Sequence, residues 1–320
     1  MRFVVIGSGK TAIDIARALV KDARATLCGV VGDPRRETAQ SSLRAEAEKL
    51  ALPYHETRRL SDPATLAFLQ AARPDYVVSA NNFLLFRKAT LEIARLATIN
   101  FHNGPLPAYA GLNPFCWALI NGETRYGITW HVVDEGIDSG DVLHIEPFDV
   151  DPDETAAGMV IKCVRAGIAS FRSVLLPRLL DQDLAARAQD TAERRYYSAR
   201  DVPHGGWLPW WLPRNELLRI LRAVAFAPLP NLFYRPRLML PDGQELSCSE
   251  ADFVADAVAG RPGTIMACDQ SSITVAVEGG LVVARDIHRA DPPLAQIDPM
   301  SLGVGAGLHL VQPSLSGEQV

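Results

Sequence analysis

The order of apolar runs in the first 150 residues restricts the fold more than anything else in the chain. Residues 3–6 are a continuously apolar run, the pattern of a strand buried on both faces, and 26–31, 76–79 and 98–101 read as further short strands. Helical stripes separate them. Residues 10–22 place Ile13, Ala16, Leu19 and Val20 on one face, and residues 37–51 are rich in Ala, Glu and Leu. Residues 63–73 follow Asp62 as N-cap with Pro63 in the first turn, and a further helix runs over about 86–96. A repeated β-α-β order implies an α/β fold with a mostly parallel sheet wrapped by helices. Residues 126–133 and 141–150 add two strands, and residues 154–181 predict one long helix.

At 320 residues the chain exceeds what one core usually carries, so two domains are expected. The texture changes after Asp183. Residues 203–236 hold six prolines and the tryptophans Trp207, Trp210 and Trp211, interrupted by one helix over 215–225. Residues 184–237 therefore read as a linker packed on the first domain. From 238 the segments are short and β-like, with turns at residues 241–243, 260–263 and 279–280, so 238–320 reads as a small β-rich, barrel-like domain. The stretch past 290 reads as loop or tail.

A net charge of -5 argues against nucleic acid as the main partner. Five cysteines without a CxxC pair suggest free thiols in a reducing compartment and supply no zinc spacing. No run approaches the roughly 20 apolar residues of a membrane span. The apolar N-terminal run is too short for a signal peptide, so a cytoplasmic protein is expected.

Two places carry chemistry. The first is Gly7-Ser8-Gly9-Lys10-Thr11-Ala12, between a strand and a helix. A Walker A loop would need glycine where Val4 stands. A G-x-G-x-x-A dinucleotide fingerprint fits, with Asp33 ending the second strand as the ribose-binding acid of an NAD-dependent oxidoreductase. A plain tight turn whose N–H groups hold any anion fits as well.

The second is richer. Asn100 and His102 sit two apart at a strand end, so both side chains face one side of the sheet, where ligands bind in such folds. A Gly-Pro-Leu-Pro turn leads to a helix over 113–121 and then to His131 and the acidic loop Asp134-Glu-Gly-Ile-Asp138-Ser-Gly-Asp141. The loop lacks the glycine and glutamate positions of a calcium site, so no metal is expected.

Asn-x-His, Leu-Pro-x-Tyr-x-Gly, Trp-Ala-Leu-Ile-Asn-Gly-Glu and Gly-Ile-Thr-x-His followed by Asp-x-Gly-Asp, in this order, resemble the folate-dependent formyltransferases. The match covers roughly residues 1–180, and the remainder resembles the two-domain members. The resemblance implies a Rossmann-like catalytic domain over 1–183, an OB-like second domain and 10-formyltetrahydrofolate as formyl donor. It implies Asn100, His102 and Asp138 as the catalytic set. Asn100 would donate to the oxyanion of a tetrahedral intermediate, charged His102 would stabilise it, and His102 or Asp138 would relay the proton. For the pterin ring it points to Phe83, Leu84 and Leu85 on one side and to Val133, Asp134 and Ile137 on the other. Gly104, Tyr109, His131 and Trp207 are the expected acceptor contacts. Arg194, Arg195 and Arg200 are candidates for an anionic group on the acceptor, or plain solvated arginines. The aromatic residues from Tyr196 to Trp211 read as a lid or, alternatively, as anchors of the linker.

The acceptor is argued from departures. Methionyl-tRNA formyltransferases carry a basic insertion after the second strand and an arginine before the motif's last glycine. This chain has only Arg35 and Arg36 after Asp33, and Ala110 in the other place. A small or carrier-bound amine is therefore expected, and the wording is similar to formyltransferases of nonribosomal peptide pathways. The second domain is then expected to shape the acceptor cleft or mediate homodimer contacts. Methionyl-tRNA formyltransferase, an NAD-dependent oxidoreductase and an inactive folate-binding module stay as alternatives.

Overall fold

The computed structural model describes residues 1–38, 41–255, 260–290 and 296–313. The chain forms two compact units. The first takes Met1–Pro114, Arg125–Asp149 and Val160–Tyr197; the second takes Phe115–Thr124, Val150–Met159 and the described residues from Ser198 onward.

In the first unit the chain runs β1 (Arg2–Gly7), α1 (Gly9–Lys21), β2 (Thr26–Gly32), α2 (Leu43–Lys49), β3 (Tyr54–Glu56), α3 (Pro63–Ala72), β4 (Tyr76–Ala80), α4 (Lys88–Leu91) and β5 (Ala97–His102). After the two-residue β6 (Ala110–Gly111) the chain passes through helix α5 (Pro114–Asn121), which beyond Pro114 falls in the second unit, and returns as β7 (Arg125–Val132) and β8 (Val142–Asp149). Helix α6 (Ala156–Ser170), whose residues to Met159 also fall in the second unit, is followed by α7 (Leu176–Leu180) and the two-residue β9 (Tyr196–Tyr197). The large sheet has the order β3-β2-β1-β4-β5-β7-β8. Strands β1 to β5 are parallel, and β7 and β8 are antiparallel to their neighbours. The apolar runs read from sequence are its central strands, with Phe3, Val4, Val5, Val30, Val31, Tyr76, Val77 and Val78 fully buried.

Strand β5 carries two chemistries on its two faces. Phe101 points away from Asn100 and His102 and packs on Trp130, whose ring also meets Phe171. Gly167 of α6 lets that helix close on the Phe101 ring: a Cβ there would stand 2.3 Å from it. Aromatic contacts of this kind add about 0.5–1.5 kcal/mol each beyond buried area. They anchor the strand whose other face is polar.

The helices are shorter than their periodicity predicts. The helix expected over 37–51 is confined to α2, with Ser42 accepting from the Ala45 N–H as its cap; residues 39–40 lie outside the described set. The helix expected over 86–96 is only α4. Asp62 precedes α3 but its carboxylate caps nothing there. The long helix over 154–181 is broken by a π-helical turn at Phe171–Leu175, just before Pro177. Proline lacks the N–H that would continue the ladder and its ring crowds the preceding turn, which accounts for the break.

The second unit contains α8 (Arg214–Val224) and a five-stranded antiparallel sheet. Its strands are β10 (Arg237–Met239), β11 (Glu245–Ala255), β12 (Ile265–Cys268), β13 (Ser272–Val277) and β14 (Gly280–Arg289), ordered β10-β11-β14-β13-β12. Leu217 and Leu221 of α8 pack with Cys248, Ile265, Ile273, Val282 and Ile287. Leu208 and Trp210, from the stretch that read as a connector, belong to the same core. The stretch past 290 is not a free tail where it is described. Residues 307–310 run along Ile265, whose N–H donates to Leu308 and whose carbonyl accepts from Gly307, and Leu310 is buried. Residues 291–295 and 314–320 lie outside the described residues.

Candidate active site

Strand register assembles the site. Asn100 of β5 stands opposite Ser79 of β4 and His131 of β7. The Ser79 hydroxyl donates to Asn100 Oδ1 at 2.7 Å, which commits the amide orientation. Asn100 Nδ2 then faces His131 Nε2 at 3.1 Å, while His131 Nδ1 donates to the Val132 carbonyl at 2.8 Å. His131 Nε2 is thereby the acceptor and takes one amide hydrogen. The second Asn100 amide hydrogen meets no acceptor among the described residues.

His102 lies two residues on, buried and on the same face. Its Nε2 is 2.6 Å from the Tyr109 carbonyl, so that nitrogen donates; its Nδ1 faces Asp138 Oδ2 at 3.5 Å. Asp138 Oδ1 is 3.6 Å from His131 Nε2, and Oδ2 accepts from the Gly111 N–H at 2.9 Å. Burial pushes the Asp138 carboxyl up, but charge on His102 and the Gly111 N–H outweigh it and hold the carboxyl well below the usual range. An acid with a lowered folded-state value contributes stability above its unfolded value, about 3.9, that is lost as pH falls toward the folded one. Asp138→Asn is therefore expected to lower the urea midpoint at neutral pH. The gap to the native protein should narrow below about pH 4; a gap independent of pH would contradict the assignment.

Glycines make these approaches feasible. Gly111 has φ +95, and a Cβ there would stand 2.1 Å from the Tyr197 carbonyl. A Cβ on Gly104 would stand 2.7 Å from the Tyr109 carbonyl and 3.1 Å from His102 Nε2. The acidic loop is a turn held by its own first residue: Asp134 Oδ1 accepts from the Gly136 N–H at 3.0 Å and the Ser139 hydroxyl at 2.7 Å. Among the described residues no group of three or more His, Cys, Asp or Glu could hold a metal ion.

Asn100, His102, His131 and Asp138 thus meet in one cluster, with Gly104 beneath it. Tyr109 takes part through its carbonyl. Its ring is buried, stacked on Tyr197 at 5.9 Å and edge-on to Tyr126 at 5.5 Å. Phe83, Leu85 and Ile137 are exposed apolar side chains at 45%, 57% and 46%, whereas Leu84 points into the core. The Arg36 guanidinium lies 4.0 Å over the Phe83 ring. The Val133 N–H donates to the Thr98 carbonyl, and Asp134 is spent on the turn. Trp207 belongs to the second unit, where it is buried under the Arg237 guanidinium. Arg194 is not a solvated arginine: its guanidinium donates to the Ile137 and Asp138 carbonyls.

The glycine loop at the end of β1 is closed. The Ser8 hydroxyl donates to the Asn81 carbonyl at 2.8 Å, and the Asn81 amide nitrogen sits 3.2 Å from where a Gly9 Cβ would be. Asp33 accepts from three donors of Arg35, its Nε, its Nη2 and its backbone N–H. A pyrophosphate and a ribose would have to displace both. Ser79 and Gln189, whose amide reaches the Asp138 and Gly140 carbonyls, were not found from sequence. Only strand register brings Ser79 to Asn100, and Gln189 lies 51 residues from Asp138.

An amide, two imidazoles and an ionised carboxylate thus gather at the end of a strand of an α/β sheet, the place where ligands bind in such folds. The chain belongs to the formyl transferase family, whose model, described as "Formyl transferase", matches residues 1–175. It is 29% identical over 267 residues to a methionyl-tRNA formyltransferase from Chloroflexus aggregans, covering 82% of this chain and 85% of that protein. Among solved structures it resembles an N-formyltransferase from Helicobacter canadensis in complex with folinic acid and dTDP-3-aminofucose. There the TM-score is 0.63 at 16% identity, with 89% of this chain and 99% of that one covered. It also resembles HypX from Aquifex aeolicus in complex with tetrahydrofolic acid, with a TM-score of 0.61 at 16% identity over 94% of this chain and 46% of that one. At these identities the two solved structures speak for the fold.

Proposed function

We propose that the protein transfers a formyl group from 10-formyltetrahydrofolate to a primary amine or hydroxylamine on a small or carrier-bound acceptor. The observation that carries this reading is the Asn100 amide, fixed by Ser79 and His131 with one N–H left over, beside a His102–Asp138 pair. The acceptor nitrogen attacks the formyl carbon. The spare Asn100 N–H and a charged His102 stabilise the oxyanion that forms. The bond from carbon to the folate nitrogen then breaks, and the proton shed by the acceptor reaches that nitrogen through the Asp138–His102 pair. Catalysis belongs to residues 1–183 in this reading. Phe83, Leu85 and Ile137 supply exposed apolar surface for the pterin, Leu84 supports them from the core, and Val133 and Asp134 present backbone. The Helicobacter and Aquifex proteins, crystallised with folinic acid and tetrahydrofolic acid, support a reduced folate.

Methionyl-tRNA is the second reading, favoured by the methionyl-tRNA formyltransferases at 27–29% identity. We favour the small acceptor because the short 34–36 turn replaces a basic insertion and Arg35 is engaged by Asp33. Calorimetry with tetrahydrofolate and with NAD tests the donor. Folate is expected to bind and NAD to give no heat; NAD binding without folate binding would return the oxidoreductase alternative. An acceptor panel with 10-formyltetrahydrofolate, read by mass spectrometry for one added formyl group, tests the transfer.

A further inference from the structure

We propose that residues 187–197 form a clasp that positions the Asp138 carboxylate, with Gln189 and Arg194 as its positioning residues. The proposal rests on the formyl-transfer reading for its catalytic consequence, but its geometry is independent of it. Asp138 sits at φ +51, a left-handed conformation unfavourable for a residue with a side chain, so something must hold the loop there. Gln189 Nε2 donates to the Asp138 carbonyl at 2.9 Å and to the Gly140 carbonyl at 2.7 Å. Arg194 Nη1 donates to the same Asp138 carbonyl at 3.0 Å, and its Nη2 donates to the Ile137 carbonyl. These donors grip three of the four residues from Ile137 to Gly140.

The same segment grips the facing limb. Arg187 exchanges two 2.8 Å hydrogen bonds with Val142, just after the loop. Arg195 accepts from the Ala110 N–H and donates to the Pro107 carbonyl, and the Tyr197 carbonyl accepts from Leu112. The facing limb is the one that supplies the Tyr109 carbonyl to His102 and the Gly111 N–H to Asp138. One strip of chain therefore sets the spacing of both limbs, and with it the 3.5 Å approach of Asp138 to His102. Arginine suits the position because its planar fork reaches two carbonyls at once, which a lysine ammonium does less well.

The test uses Arg194→Met, Gln189→Leu and Arg194→Lys in the full chain. Catalysis falls steeply when a positioned group drifts, so Arg194→Met and Gln189→Leu are expected to lower kcat by roughly ten- to a hundredfold. The acceptor KM should change by less than about threefold, because no acceptor contact is removed. Arg194→Lys should recover part of the loss. The charged or titratable groups facing Asp138 are His102, His131 and Arg194, and loosening the loop weakens the approach of His102 to the carboxylate. The acid limb of kcat should therefore move to higher pH in Arg194→Met. Carbon-detected NMR titration of the Asp138 carboxyl reads the same movement without turnover, toward the ordinary carboxylate range. Lower thermal stability with an unchanged pH profile and unchanged kcat would overturn the clasp and leave a covering strip. An unmoved Asp138 titration in Arg194→Met would overturn it whatever the reaction proves to be. Failure of the native protein to formylate any acceptor would instead count against the function alone.

Discussion

Asn100→Ala, His102→Ala and Asp138→Asn are each expected to lower formyl transfer by about a hundredfold or more, on the scale of losing an oxyanion donor. Asn100→Ala removes the one amide hydrogen left unassigned, the neutral donor that the proposed mechanism directs at the developing charge. His102→Ala removes the charged partner and the 2.6 Å hydrogen bond from its Nε2 to the Tyr109 carbonyl. Asp138→Asn keeps a group that can accept from the Gly111 N–H but abolishes the negative charge that faces His102. The three side chains are one connected set, so a double variant should cost little more than the worse single one. Each should bind tetrahydrofolate with near-native affinity by calorimetry, since none lies among the exposed apolar residues assigned to the pterin. Near-native turnover of His102→Ala on a verified acceptor would refute the mechanism, whatever the other two variants did.

The second large effect concerns the acceptor. Initiator Met-tRNA is expected to be formylated at least about a hundredfold less efficiently than the true small or carrier-bound amine, because a missing set of phosphate contacts is costly and salt-dependent. The chain offers few groups to make such contacts. Arg35 is held by Asp33, and Arg36 lies over the Phe83 ring. Between residues 238 and 289 the only basic residues are Arg261, Arg285 and Arg289, against eight acidic ones. Arg285 is itself paired with Asp252. Ala110 occupies the position before Gly111 and pairs with Tyr196 in β9, so its side chain offers no charge there. Efficient formylation of Met-tRNA at physiological salt would reject this acceptor class while leaving the transfer chemistry intact.

Much of the architecture could be read from residue order because it rests on local rules. Continuous apolar runs become doubly covered parallel strands, and Asn100 and His102 share a face because strand side chains alternate. The Asn-x-His and Asp-x-Gly-Asp wording names residues that the structure brings together, because the residues and their spacing survive in one dimension. Helix lengths could not be read so well. Periodicity persists through residues 37–51 and 86–96, but helices stop where packing stops rewarding them, and those two segments hold only α2 and α4. What the sequence determined by itself was the fold class and the chemical identity of the cluster. What only the tertiary structure decided was its wiring. Ser79 meets Asn100 through β4–β5 register, Gly111 reaches Asp138 across 27 residues, and Gln189 and Arg194 come from 51 and 56 residues away to hold its carbonyl. Such contacts follow from strand order and loop crossing, which depend on how the whole chain packs and leave no periodic trace in the residues that make them.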